Sequence, residues 1–176
     1  MGRAKEVMNA CDMERTLERL ACQVLEQISD PDEMALIGIQ RRGVDLACRL
    51  SQVLARRLGQ PVACGELDIN LYRDDWTTTD ATPQINATHI DFSVAGKTIV
   101  VVDDVLFTGR TVRCALEAIL DFGRPRAVKL LVLVDRGHRE LPIQADFVGK
   151  YIVTDPGEQV YVFLQERDGL DRVVVE

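Results

Sequence analysis

The sequence predicts a single α/β domain in which a mainly parallel central sheet is flanked by helices. Short apolar runs, of the kind found in strands buried on both faces, alternate with segments that have helical spacing. An alternation of strands and helices is typical of a parallel sheet. The chain has 176 residues and is 47% hydrophobic, which suits one domain with a substantial core.

The first half of the chain contains two helical patterns and two strand patterns. Apolar residues from Asp12 to Ser29 recur at helical spacing and form one stripe. The run MALIGI at 34–39 predicts a buried strand, and a second apolar stripe follows it as far as Leu58. Residues 62–71 alternate loosely, as in a strand. The polar segment from Arg73 to His89 is predicted to be a long mobile loop, which in a compact domain is usually functional or disordered.

The second half begins with four consecutive β-branched residues, Ile99 to Val102, which predict the central strand. A helical pattern runs from about Thr111 to Phe122, and VKLLVLV at 128–134 predicts another buried strand. Shorter strands are expected near Phe147–Val148, Tyr151–Val153, Val160–Leu164 and Val173–Val175. The sequence contains no internal repeat that would indicate a second unit.

Charge and composition exclude several classes of protein. The net charge of −7 opposes generic nucleic-acid binding, which normally requires a basic surface. No apolar run approaches the length of a membrane span, and the first twenty residues lack the apolar middle of a signal peptide. The five cysteines form no CxxC motif. We therefore expect a cytoplasmic protein with reduced thiols and no membrane partner.

Three loops are expected to meet at one edge of the sheet, because parallel strands all end on the same side. These loops follow Ile39, Val102 and Val134, and each is rich in polar side chains. Their residues are Arg41, Arg42 and Gly43 in the first, Asp103, Asp104 and Thr108–Thr111 in the second, and Asp135–Glu140 in the third. Ligands of open α/β sheets bind at this edge, so the convergence predicts a site.

The central segment carries the most informative chemistry. Two acids follow a buried strand, and a small polar loop then opens a helix whose free amides can bind phosphate. The acids suit hydroxyl groups or a hard cation. Other interpretations stay open at this point: Asp103 or Asp104 could only cap a turn, and the Arg41-Arg42 pair could be solvated surface. The sequence has no GxxxxGK[ST], GxGxxG or GxSxG motif.

The segment VVDDVLFTGRT at 101–111 resembles the phosphoribosyl diphosphate signature of type I phosphoribosyltransferases, in which two acids and TG[KR]T follow an apolar strand. ELDINLYRDD at 66–75 and LVDRGHRELPIQADFVGK at 133–150 are similar to members that combine regulation of pyrimidine operons with uracil phosphoribosyltransferase activity. The resemblance implies a single phosphoribosyltransferase domain over 1–176. Within it, a flexible hood would cover about 62–90, and the core about 10–61 and 91–155.

The resemblance implies that uracil and phosphoribosyl diphosphate react to give UMP and diphosphate, with Mg²⁺ as cofactor. Asp103 and Asp104 would hold the ribose hydroxyls, directly or through metal-bound water. Arg73 in the hood would close onto the diphosphate. The remaining implied contacts are Thr108, Gly109, Arg110 and Thr111 at the 5′-phosphate, Val105, Leu106 and Phe107 beside them, Arg41, Arg42 and Gly43 at the diphosphate, and Phe147, Val148 and Arg136 at the base.

The choice of base and the regulatory function are separate questions. Purine-using relatives carry an acid that contacts the base at the position of Phe107, so the resemblance favours a pyrimidine. It also implies UMP-responsive binding of pyrimidine leader mRNA and a homo-oligomer, a dimer or larger. Glu18, Cys22 and Gln144 stand where RNA-binding relatives carry a hydroxyl, a histidine and an arginine. The alternatives are an RNA-binding attenuator with little catalysis and a phosphoribosyltransferase for hypoxanthine or guanine.

Overall fold

A computed structural model of the protein describes residues 4–28, 30–72 and 88–176. The eight strands within these residues are β1 (Lys5–Asn9), β2 (Met34–Ile39), β3 (Ala63–Leu67), β4 (Thr98–Leu106), β5 (Ala127–Asp135), β6 (Phe147–Tyr151), β7 (Val160–Phe163) and β8 (Arg172–Val175). The helices are α1 (Ala10–Gln27), α2 (Arg42–Leu58), α3 (Arg110–Asp121) and the short α4 (Gln165–Asp168). Short 3₁₀ turns lie at Pro31–Glu33 and Asn70–Tyr72.

Five strands form the central sheet, in the order β3-β2-β4-β5-β6, and every pairing is parallel. The long strand β4 lies in the middle, next to β2 and β5. Its register pairs Val102 with Gly38 of β2 and Leu106 with Asp135 of β5. The ends of β2, β4 and β5 therefore lie side by side at one rim of the sheet, as the sequence predicts.

The core has two layers, because alternate residues of each strand point to opposite faces of the sheet. On β4, Val100 and Val102 pack in the layer that contains α1 and α2, whereas Ile99 and Val101 pack in the layer that contains α3. Helix α1 begins at a capping box in which the Asn9 side chain accepts from the Asp12 amide at 2.9 Å. Helix α2 ends at Gly59, whose φ of 72° favours glycine.

A second, antiparallel sheet joins the two ends of the chain in the order β1-β8-β7. Met8 of β1, Val162 of β7 and Val173 of β8 are buried in the same layer as α1 and α2. The hydrophobic core thus includes residues from both ends of the chain.

The structure confirms the predicted α/β class and its parallel sheet, and it corrects several elements. Strand β1 is absent from the sequence prediction, and the strand predicted over 62–71 is limited to Ala63–Leu67. The two strands expected at 147–148 and 151–153 are one continuous strand, β6. These differences have one cause: the pairing of short strands depends on neighbours that are distant in sequence.

Within the three described segments, no helix combines the length and the apolar character needed to cross a membrane.

Candidate active site

Asp103 and Asp104 lie inside strand β4, which continues beyond them to Leu106. The sequence prediction, in which the strand ends at Val102, is therefore too short. The Asp103 carboxylate accepts from the amide of Asp104 at 2.9 Å, and the Asp104 carboxylate accepts from the amide of Val105 at 2.9 Å. These bonds orient both acids at the rim of the sheet.

Burial disfavours the charge on both acids. It raises the pKa of Asp103 well above its ordinary value, and the neighbouring Asp104 charge raises that pKa further. Burial also raises the pKa of Asp104, although hydrogen bonds from its surroundings and the positive charge of Arg42 oppose the change. Two adjacent carboxylates that are costly to ionise are the groups that a cation or hydroxyl donors would stabilise.

The loop after β4 leads directly into the amino terminus of α3. Gly109 precedes this helix with a φ of 93°, a left-handed conformation that favours glycine. Gly109 has no side chain with which to cap the helix, and the Thr108 hydroxyl accepts from the Arg110 amide at 3.3 Å. The Thr108 carbonyl accepts from the amides of Glu140 and Leu141 at 3.0 and 3.1 Å, which ties this loop to the loop after β5. Residues 108–111 thus present a helix amino terminus, a known type of phosphate-binding site, about four residues from the acids.

The start of α2 passes directly over β4. A Cβ atom added to Gly43 would lie 2.4 Å from the Val102 carbonyl oxygen and 3.3 Å from Cα of Asp103. Only glycine permits this approach, which brings the first turn of α2 against the acid pair. The peptide bond between Gln40 and Arg41, in the loop after β2, is cis.

Arg42 occupies the first position of α2, and its guanidinium is shared between two environments. Its Nη2 donates to the Asp168 carboxylate at 3.2 Å, and its charge also acts on Asp104. Its Nε is buried and has no hydrogen-bond partner among the described residues. The start of α2 therefore supplies a positive charge that acts on Asp104.

The loop after β5 is held in place by Arg139. This side chain donates to the carbonyls of Phe107 at 2.8 Å and Ile143 at 2.9 Å, and it also forms an ion pair with Asp135. The Asp135 carboxylate in turn accepts from the amide of Gly137 at 2.9 Å. Arg139 thus joins the loops that follow β4 and β5.

Phe107 and Arg136 stack on each other at the same rim. The guanidinium carbon of Arg136 lies 4.2 Å from the centre of the Phe107 ring. Arg136 is 6% exposed and donates to the Glu158 carbonyl at 2.7 Å. The Phe107 ring is 39% exposed and contacts the His138 ring edge to face. The His138 ring also bonds the Thr154 carbonyl at 2.7 Å.

Several predicted contacts lie elsewhere. Phe147 is 2% exposed and pairs with Leu131 at the first position of β6, whereas the rim lies at the other end of that strand, where Tyr151 pairs with Asp135. Val148 is the next residue and pairs with Val132, also away from the rim. The structure therefore places neither side chain at the rim, where the resemblance implies a contact with the base.

Two of the three residues between the acids and the phosphate loop have side chains that pack in the core. Leu106 is 1% exposed in the layer of α3, and Val105 packs against the opposite layer. Only their backbone can take part in a site, and the Leu106 carbonyl already accepts from the amide of Arg136 at 3.1 Å. Arg73 lies outside the described residues.

The donor set fits a magnesium ion that is bound together with a phosphorylated substrate. No cluster of three or more metal-binding side chains occurs in the residues that the structure describes. Mg²⁺ usually takes one or two protein carboxylates and completes its shell with water and substrate phosphates. Asp103 and Asp104 supply such oxygens. Burial raises their pKa values, and a bound cation would counter this effect by stabilising the charged carboxylates.

Sequence reasoning missed the residues that support the site from α4 and from the loop before β7. Arg167 donates to the Arg41 carbonyl at 3.2 Å, and Asp168 bonds Arg42. The carbonyl of Glu158 holds Arg136. The charged run QERDG at 165–169 was the only available signal, and such runs are usually solvated surface.

The family model described as a phosphoribosyl transferase domain matches residues 4–164. The chain belongs to the phosphoribosyltransferase family. It is 52% identical over 168 residues to the bifunctional protein PyrR of Thermus aquaticus, a match that covers 96% of this chain and 93% of that protein. It is 49% identical over 173 residues to the bifunctional protein PyrR of Syntrophobacter fumaroxidans, covering 98% and 93% of the two chains.

Solved phosphoribosyltransferase structures share the fold. A hypoxanthine-guanine phosphoribosyltransferase of Bacillus anthracis superposes with a TM-score of 0.71, and the match covers 99% of both chains at 18% identity. A hypoxanthine phosphoribosyl transferase of Trypanosoma cruzi gives a TM-score of 0.74 at 19% identity, covering 97% of this chain and 90% of that one. At this level of identity, these phosphoribosyltransferases establish the fold and not the base.

Proposed function

We propose that the protein transfers the phosphoribosyl group of phosphoribosyl diphosphate to uracil, which releases UMP and diphosphate. The observation that carries this proposal is the convergence at one rim of three features. These are the carboxylates of Asp103, which is buried, and Asp104, which is partly buried; the start of α3 behind Gly109; and the start of α2 at Gly43, which crosses β4 beside the acids.

Each feature suits one part of a sugar diphosphate. The amides and hydroxyls at 108–111 would bind the 5′-phosphate, because a helix amino terminus attracts anions. Asp103 and Asp104 would accept hydrogen bonds from the ribose hydroxyls. Arg41, Arg42 and Gly43 would bind the diphosphate, for which the unpartnered Nε of Arg42 supplies a donor. Arg73 would add a second cation from the hood.

The displacement proceeds through a cation-like sugar while negative charge grows on the leaving diphosphate. When bound, Mg²⁺ would neutralise part of that charge, with Asp103 and Asp104 as its protein donors. Arg42 would stabilise the same charge from a fixed position, because preorganised cations act strongly in a site that excludes water. The acid pair would also stabilise positive charge on the sugar.

The choice of uracil rests on Phe107 and Arg136. Phe107 stands where the resemblance implies a base-contacting acid in purine-using enzymes, and its ring is covered by the Arg136 guanidinium. An apolar ring at this position cannot accept a proton or a hydrogen bond from a purine. Arg136 supplies a donor of the kind that a carbonyl oxygen of uracil accepts.

A base-by-base assay tests this proposal. The protein is incubated with phosphoribosyl diphosphate, Mg²⁺ and either uracil, hypoxanthine or guanine, and the nucleotide formed is measured. We expect UMP to form and the purine nucleotides to form at least a hundredfold more slowly. The double variant Asp103→Asn with Asp104→Asn should lose nearly all activity, whereas Glu117→Gln, on an exposed face of α3, should keep it. Full turnover by the double variant would refute the site assignment.

The relatives named PyrR are described as bifunctional, which supports a second function for this chain. We propose that the second function is binding of pyrimidine leader mRNA in a manner that responds to UMP. The alternative of an RNA-binding attenuator with little catalysis predicts RNA binding without nucleotide formation in the same assay. We also propose a homo-oligomer, and a cytoplasmic location for which the five free cysteines are suited.

A further inference from the structure

The short helix α4 is attached to the first turns of α2 by a set of ionic contacts. Asp168 bonds Arg42 through both carboxylate oxygens, at 3.2 and 3.3 Å. Arg167 forms an ion pair with Asp45 and also donates to the Arg41 carbonyl at 3.2 Å. Two of the three residues assigned to the diphosphate are therefore held by side chains far away in sequence.

Asp168 is itself fixed in orientation. Its Oδ2 accepts from the amide of Leu164 at 2.8 Å, and the Leu164 side chain is fully buried in the core. The hydrogen bond from this amide lowers the pKa of Asp168, and the charge of Arg42 lowers it further. The carboxylate therefore stays charged at neutral pH and provides a stable anchor for a guanidinium.

Arg42 has donors that Asp168 does not use. The Asp168 carboxylate occupies Nη2, while Nε is buried without a hydrogen-bond partner among the described residues. A buried donor without an acceptor is costly and is usually explained by a group that joins it. Because Arg42 also acts on Asp104, its guanidinium lies within electrostatic reach of the acid pair.

We propose that Asp168 is a positioning residue for the diphosphate: it holds Arg42 so that the remaining guanidinium donors face an oxygen of the bound diphosphate. Arg167 contributes by fixing the backbone of the same loop at Arg41. This inference rests on the proposed function, because it gives Arg42 the diphosphate as its partner.

The physical reason is the cost of ordering a long side chain. A free arginine loses rotamer freedom when it binds a phosphate, whereas Asp168 has already removed much of that freedom before the substrate arrives. Without this anchor, the diphosphate must order Arg42 itself. We expect binding of the diphosphate to weaken by about 3- to 10-fold. The upper value corresponds to about 1.4 kcal/mol.

The test compares two variants of α4 in the full-length protein. Asp168→Asn removes the charge that holds Arg42 and keeps the side chain's size. Glu166→Gln is the matched control, because Glu166 pairs with Arg49 farther along α2, and Arg49 keeps a second partner in Asp171 at 2.7 Å. The Kd for inorganic pyrophosphate with Mg²⁺ is measured by calorimetry, and kcat and KM are measured with phosphoribosyl diphosphate and uracil.

We expect Asp168→Asn to raise the Kd for pyrophosphate and the KM for phosphoribosyl diphosphate by 3- to 10-fold, with kcat and the KM for uracil within twofold of wild type. Glu166→Gln should leave all four values within twofold. Equal or tighter pyrophosphate binding by Asp168→Asn overturns the inference, as does the same shift in Glu166→Gln. A wild-type protein that binds neither pyrophosphate nor phosphoribosyl diphosphate overturns the proposed function itself.

Discussion

Replacement of Gly43 by alanine is the sharpest test of the close approach between the start of α2 and β4. The added Cβ would lie 2.4 Å from the Val102 carbonyl oxygen, about 1 Å short of ordinary van der Waals contact. The opposing atom belongs to the backbone of the central strand, which is packed on both faces. We therefore expect the start of α2, and not β4, to move by about 1 Å.

Two effects on stability oppose each other. Alanine is favoured over glycine in a helix by about 1 kcal/mol, whereas overpacking costs about 1–3 kcal/mol. The free energy of unfolding should therefore fall by no more than about 2 kcal/mol. A misplacement of about 1 Å at a reacting centre can reduce catalysis by about 10²-fold. Activity should thus be lost far more than stability.

The assay measures UMP formation and thermal unfolding for Gly43→Ala and for a control, Gly157→Ala. A Cβ at Gly157 would meet no atom within 4 Å. We expect Gly43→Ala to lower kcat/KM for phosphoribosyl diphosphate by about 10²-fold, and Gly157→Ala to stay within twofold of wild type. A folded Gly43→Ala protein whose kcat/KM lies within threefold of wild type would refute the reasoning.

Three further predictions address the acids, the base and RNA. Because burial raises the pKa of Asp103, the wild-type protein should lose stability as pH rises from about 4 through that raised pKa. Asp103→Asn should lack this loss and have the higher melting temperature at pH 8. The same change of melting temperature with pH in both proteins, from pH 5 to 8, would contradict this. Arg136→Lys loses the planar stack on Phe107 and should raise the KM for uracil about tenfold without changing the KM for phosphoribosyl diphosphate; initial rates decide this. Leader RNA should bind weakly at physiological salt, as measured by fluorescence anisotropy. Two arginines are paired with Glu18 and Lys150 bonds a backbone carbonyl, so these cations are already engaged and contribute less to phosphate contacts. Nanomolar, sequence-selective binding would show the charge argument to be mistaken.

The sequence by itself determined the class of the fold and the centre of the site. Hydrophobic periodicity is a local signal, so the three long buried strands and three main helices could be predicted from it. The acids, the glycine-containing loop and the following helix are contiguous in the chain, and their order on one strand already places them at a rim. The family resemblance then supplied roles for them that periodicity could not supply.

Only the tertiary structure decided which distant residues support that rim. β1 and β8 pair across almost the whole chain, and α4 brings Asp168 to Arg42, so neither contact has a local pattern. The same cause explains the error at Phe147, whose place on the strand depends on its register with β5. Contacts between residues far apart in sequence are selected by packing and charge in the folded state, which a pattern along the chain does not contain.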